Sequence, residues 1–339
     1  MLFKNVAIES VAYELPPHRI TSADLEDQIA PTMERLGVPL GRIEELAGIR
    51  ERRFWDAGAM PSEVATRAAR AAIEQAGIDP QQIGALVSTS VWRDYIEPST
   101  ACLVHGNLGL SPNCLNYDIS NACLGFVTGM THIGLMIDAG VIDYGLVVNG
   151  DSARDIVEDT VRRLQNPNCD MQTFRDNFAT LTIGSSAVAM VLSRKDHSTT
   201  GHTVNGAVAM ADTANNRLCV ADRDYMKTDA SALLVAGVKL AVETWQKAQA
   251  ELPHWNDAEI AQYCPHQVGS RHNAAVAQTL NMTPSKIYIN FTTLGNIGPA
   301  AVPVSMAQAI EAGRVKQGDQ LGLLGIGSGI NCSMMSVTW

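Results

Sequence analysis

Two glycine–serine clusters close the two halves of this chain in the same way. Thr182-Ile183-Gly184-Ser185-Ser186 leads into an apolar run to Leu192, and Gly325-Ile326-Gly327-Ser328-Gly329 leads into another to Val337. Chance can produce two similar hairpin turns, but their position at the end of each half favours an internal duplication. The intervening sequence keeps the same rhythm. Leu86–Val91, Cys114–Ile119 and Tyr144–Asn149 read as buried strands. Ser62–Ala76, Ser99–Leu108 and Leu124–Ala139 carry apolar residues at helical spacing. The second half repeats the plan with a long helix over Ala230–Ala250, a strand at Ile260–Cys264 and a helix near His272–Leu280. A strand at Lys286–Asn290 and a helix from Ala300 complete it. Such alternation predicts an α/β fold with parallel strand pairs and helices covering the sheet faces. The halves are expected to divide in the polar stretch Ser193–Gly206, as residues 1–195 and 196–339.

With 339 residues, 46% of them hydrophobic and 18% charged, the chain has ample material for a buried core and no segment biased toward disorder. A net charge of −10 argues against a general nucleic-acid binder, so a phosphate-bearing carrier must find a local basic patch. The N-terminus lacks the pattern of a signal peptide, and no run approaches the roughly 20 apolar residues of a membrane span. Seven cysteines at irregular spacing fit reduced thiols better than a disulfide framework. A soluble, cytoplasmic protein is expected.

The chemistry centres on Cys123, in Asp118-Ile119-Ser120-Asn121-Ala122-Cys123-Leu124-Gly125-Phe126. There an extended run ends and a helical pattern begins. At a helix N-terminus, unpaired N–H groups and the macrodipole favour a thiolate. The other six cysteines read as small buried hydrophobes. Two further segments stand out: Pro265-His266-Gln267 and Gly295-Asn296-Ile297-Gly298-Pro299-Ala300. A cysteine, a histidine and an asparagine on loops after strands supply the nucleophile, base and polar orienter of acyl transfer. His105, His132, His197, His202, His254 and His272 read as ordinary histidines, and Asn296 could equally occupy a left-handed turn. No closed zinc spacing, Gly-x-Ser-x-Gly elbow or complete dinucleotide glycine motif is present, so no metal or redox cofactor is expected.

Together with Gly48-Ile49-Arg50-Glu51-Arg52-Arg53, these motifs resemble the thiolase superfamily, on the branch of the ketoacyl-acyl-carrier-protein synthases III. Within it, Asp94-Tyr95-Ile96-Glu97-Pro98-Ser99-Thr100-Ala101 is most similar to the OleA type, which joins two fatty acyl thioesters head to head. The resemblance implies a duplicated five-layer α-β-α-β-α sandwich and a homodimer. It implies that Cys123 is acylated and that His266 and Asn296 bind an enolate oxygen. The backbone N–H groups of Cys123, Gly327, Ser328 and Gly329 would form the oxyanion hole. Glu97 is the branch point, because a substrate with no carboxylate to lose needs a base to take its α-proton. Placed beside an acyl tunnel, reaching in from the partner subunit, Glu97 suits that task. Arg50, Arg52, Arg53 and Trp55 are candidates for coenzyme A contacts, though a solvated charged turn is as good a reading. The expected reaction is condensation of two acyl-CoAs for olefin or β-lactone formation, with downstream enzymes as partners. The alternatives are a decarboxylative synthase using malonyl carrier and a non-catalytic subunit that scaffolds a paralogue.

Overall fold

The computed structural model describes residues 1–339. Nine strands form its main sheet: β1 (Val6–Glu14), β2 (Ile83–Ser88), β3 (Leu115–Asp118), β4 (Tyr144–Asp151), β5 (Ser186–Arg194), β6 (His202–Ala211), β7 (Ile260–Pro265), β8 (Gln320–Gly327) and β9 (Asn331–Thr338). Their order is β7-β8-β9-β6-β1-β5-β4-β2-β3. Around them pack α1 (Pro61–Ala76), α2 (Thr100–Leu108), α3 (Gly125–Asp138), α4 (Ala230–Glu251), α5 (Ser270–Thr279) and α6 (Ala301–Glu311).

One pairing plan occurs twice. In the first half β2 pairs in parallel with β3 and β4, β4 is antiparallel to β5, and β5 is antiparallel to β1. In the second, β7 is parallel to β8, β8 antiparallel to β9, and β9 antiparallel to β6. The parallel bridge Tyr263↔Ile287 stands where β3 stands in the first half. The segment Lys286–Asn290 is therefore not the strand its apolar pattern predicts. A tight turn over Pro284–Lys286 precedes it, and one backbone bond, Tyr288 N–H to Tyr263 O at 3.0 Å, is all it adds to the sheet. The half-sheets meet through two antiparallel pairs, Ala7↔Thr203 and Ile8↔His202.

Side chains of a strand alternate between faces, and the three large apolar clusters obey that rule. Leu86, Leu146, Val148, Ala189 and Val191 pack with α1 and α2 on the outside of the first half. Their neighbours Val87, Val147, Val188, Met190 and Leu192 face inward, into a cluster shared with Val127, Met130 and Ile133 of α3, Val302, Val304 and Met306 of α6, and Leu321, Leu323 and Met335 of the second half. Trp245 and Leu240 of α4 join Leu324 and Met334 on the far side. The result is five layers, helices and half-sheets alternating, with α3 and α6 in the middle. These are the two helices that begin beside Cys123 and Asn296.

Candidate active site

The nucleophile sits in a single turn, Ala122–Leu124, that leads directly into α3. Ala122 has φ 45°, a left-handed conformation that costs a non-glycine residue on the order of 1–3 kcal/mol and is a signature of built sites. Two contacts hold it. Asn121 receives a hydrogen bond from Asn331 Nδ2 at 3.1 Å and donates to Thr128 Oγ1 at 2.9 Å. The hairpin joining β8 to β9 then passes over the turn at Gly327. A methyl group there would lie 3.0 Å from Asn121 O, 3.1 Å from Leu124 N and 3.3 Å from Cys123 N. Only glycine lets the two backbones approach so closely. This brings Gly327 of that hairpin against the backbone of the nucleophile's turn. We predict that Gly327→Ala, whose Cβ meets backbone, displaces the elbow and slows acylation by roughly 100-fold. Release of free CoA in a single turnover would measure it; an unchanged burst would separate this hairpin from the chemistry.

The other cluster makes the reciprocal contact. Gly184 N–H donates to Asn296 O and Asn296 N–H to Thr182 O, each at 2.9 Å, and a methyl group on Gly184 would fall 2.0 Å from Leu294 O. Each glycine–serine cluster thus braces the functional loop of the opposite half. At Asn296 the side-chain Oδ1 accepts the Gly298 N–H at 3.0 Å. That bond fixes the amide so that Nδ2 remains to donate to a substrate oxygen.

His266 follows β7 and is buried, its backbone N–H bonded to Leu324 O at 2.7 Å. Burial pushes its pKa down to about 3, with neighbouring His272 adding to the effect, and Nδ1 has no hydrogen-bonding partner in the protein. The imidazole is therefore neutral, able to accept a proton at one nitrogen and donate at the other. His272 is not the ordinary histidine its sequence context implied. It lines the same cavity of about 30 Å³ as His266, and burial pushes its pKa down to about 4.

Cys123 departs from the expectation of a thiolate. Burial foremost, then the Cys219 thiol and the Asp151 carboxyl, together push the thiol up to about 12. Desolvation of the charged sulfur outweighs the helix N-terminus. The resting thiol and imidazole are both neutral, so the sulfur becomes nucleophilic only as its proton leaves. Asp151, at the end of β4, went unnoticed in the sequence. Its buried carboxylate accepts from Trp92 N–H at 2.9 Å and Asn149 Nδ2 at 3.0 Å, and burial raises its pKa to about 6.

Glu97 lies on the loop between β2 and α2. The strand stops at Ser88, short of the expected Val91, because Thr89 turns to give both its N–H and its hydroxyl to Val148 O. Beyond it Tyr95, Ile96, Glu97 and Pro98 project from the surface, Ile96 being 83% exposed. Within one chain Glu97 does not join Cys123, His266 and Asn296. The coenzyme A candidates divide. Arg50 is exposed and Arg53 half-buried. Arg52 is fully buried, with guanidinium donors on Ile20 O, Ser22 Oγ and Leu181 O. Trp55 is 2% exposed, its indole N–H on Asp151 O at 3.1 Å. Neither has a face to offer a ligand, because Glu51–Phe54 is a strand and Arg52 points inward.

The fold, its duplicated halves, and the packing of the Cys123 turn and of His266 against the Gly298 segment beside Asn296 fit a condensing acyltransferase of the thiolase fold. Residues 117–213 match the family description of 3-oxoacyl-[acyl-carrier-protein] synthase III, and residues 251–339 match its C-terminal part. Across its full length the chain is 42% identical to an acyl-CoA:acyl-CoA alkyltransferase of Xanthomonas campestris and 40% identical to one of Shewanella oneidensis, covering all of each. It is 25% identical to a β-ketoacyl-[acyl-carrier-protein] synthase III of Caldanaerobacter subterraneus, over 96% of this chain and 95% of that one. A crystal structure of Xanthomonas campestris OleA with bound lauric acid and lauroyl-CoA superposes with a TM-score of 0.97, covering 100% of both chains at 42% identity. The chain belongs to the synthase III family of the thiolase superfamily, on the acyl-CoA:acyl-CoA alkyltransferase (OleA) branch.

Proposed function

We propose that this protein condenses two long-chain acyl-CoAs without decarboxylation. The observation that carries the reading is that His266 is hydrogen-bonded to the Gly298 backbone beside Asn296 while the Cys123 turn Ala122–Leu124 packs against Gly298–Ala300, in a chain whose Glu97 projects from an exposed loop. Crystallised variants of the Xanthomonas relative alter one cysteine, one glutamate and one histidine. The glutamate precedes the cysteine there by the same 26 positions that separate Glu97 from Cys123.

In the first step the Cys123 sulfur attacks the thioester carbon while His266 takes its proton. The tetrahedral oxyanion is held by backbone N–H groups of Cys123 and the Gly327-Ser328-Gly329 turn. Collapse breaks the bond to coenzyme A, whose thiolate recovers the proton from His266. In the second step Glu97 of the partner subunit removes an α-proton from a second acyl-CoA. Nδ2 of Asn296 and an imidazole N–H of His266 stabilise the enolate oxygen. The carbanion attacks the acyl-cysteine, forms the carbon–carbon bond and expels the Cys123 sulfur, which is reprotonated. The product is a 2-alkyl-3-oxoacyl-CoA, and water then releases the β-keto acid. No cofactor beyond the coenzyme A of the substrates is needed.

On this reading the working unit is a homodimer, and its halves divide as 1–195 and 196–339. No helix is long and apolar enough to cross a membrane, which suits an enzyme that meets its substrates in the cytoplasm. Incubation with acyl-CoA alone tests the proposal. Coupled product in the absence of any malonyl thioester is expected. Strict dependence on malonyl carrier would instead assign a decarboxylative synthase.

A further inference from the structure

A carboxylate buried without a cation is expensive, and where one persists it has a task. Asp151 is 4% exposed. The donors that reach it are neutral: Trp92 N–H at 2.9 Å, the Asn149 amide at 3.0 Å and the Val91 backbone. Arg154, on the next helix, is turned to Trp55 O and Glu158 instead. Across the chamber the titratable neighbour is Cys123. A methyl group on Gly298, in the Asn296 turn, would lie 3.8 Å from Asp151 Oδ2.

One oxygen of the carboxylate therefore accepts from the root of the Glu97 loop, and the other faces Gly298 in the Asn296 turn. Two more anchors act on that loop. Asp94 receives the Ser62 N–H at 2.9 Å and is also bonded to the Ser62 hydroxyl. Asp118 receives Thr100 N–H at 3.0 Å and Ala101 N–H at 2.8 Å, and pairs with Arg93 at 3.6 Å. Between these points only Tyr95–Pro98 is unsupported and projecting.

We propose that Asp151 is a positioning residue for the condensation step, holding the root of the Glu97 loop in register with the chamber that contains Cys123 and the Asn296 turn. The proposal rests on the reading of Glu97 as the base. If the loop is loosened, the carboxylate it carries to the partner loses its aim, while Cys123 in the same chain can still be acylated.

The test compares the two half-reactions in Asp151→Asn, which keeps the side chain's shape. Formation of acyl-Cys123, read by intact mass and CoA release, should stay within about threefold of wild type, while kcat for condensation falls roughly 10- to 100-fold. The pH midpoint for alkylation of Cys123 by iodoacetamide should move down, since a negative neighbour of the thiolate has gone. Equal losses in both half-reactions, unchanged condensation, or an unmoved alkylation profile would overturn the proposal. A second measurement needs no variant. In the wild-type protein the Trp92 amide, held by Asp151, should be protected from hydrogen exchange, and fast exchange at Trp92 would also overturn the proposal. Glu97→Gln run in parallel keeps the two ideas apart. Normal condensation in that variant would refute the base assignment, whatever Asp151→Asn does.

Discussion

Replacing Cys123 with alanine should abolish turnover while leaving acyl-CoA binding intact. On the proposed mechanism the reaction runs through a thioester on this sulfur, and no other nucleophile is set at the same strained turn beside the Gly327 hairpin. Loss of such a group lowers kcat by at least about 10⁴-fold. The pocket keeps its oxyanion donors and its asparagine, so binding measured by calorimetry should be close to wild type. Because the thiol of the half-buried Cys123 is pushed up to about 12, the native cysteine is expected to react slowly with general alkylating agents at pH 7 yet quickly with a thioester that reaches His266. Coupled product from Cys123→Ala would eliminate the covalent step.

Glu97→Gln should separate the two halves of the reaction. The amide preserves size and hydrogen bonding but cannot accept an α-proton. Acylation of Cys123 depends on His266 and the backbone donors, none of which Glu97 touches within its own chain. Intact mass should therefore show a full complement of acyl-enzyme, with carbon–carbon bond formation reduced by about 10²- to 10⁴-fold, the usual contribution of general-base catalysis. If acylation is lost as well, Glu97 serves the first step; if neither changes, another group is the base.

Much of the fold was legible because its periodicities are local. The inward–outward alternation of Leu86 and Val87, or of Leu146 and Val147, is written in consecutive residues and is what sorts them into separate layers. Cys123 and His266 stood out for a related reason, each lying in a loop after a strand, whereas Asn296 follows the short helical turn Phe291–Leu294 rather than the strand expected before it. What escaped depended on tertiary surroundings. Nothing around Asp151 announces that its carboxylate meets Trp92 N–H, 59 positions away. The three arginines after Gly48 resemble a solvated turn, yet the strand period turns Arg52 inward to the Leu181 carbonyl, 129 positions away. The thiolate expected at a helix N-terminus gives way because desolvation, which a sequence does not display, is the larger effect. Glu97 is the opposite case: its sequence context marked it, yet within the chain it projects from the surface, and the proposed mechanism needs a second copy to bring it to Cys123.

Mixing inactive subunits tests that last point directly. Each active site would draw Cys123 from one protomer and Glu97 from the other, so Cys123→Ala and Glu97→Gln homodimers should both be dead. After dissociation and reassociation in equal amounts, a mixed dimer regains one complete site, and roughly a quarter of wild-type coupling should return. Failure to recover any coupling, with mixed dimers demonstrated in the sample, would contradict a site shared between subunits.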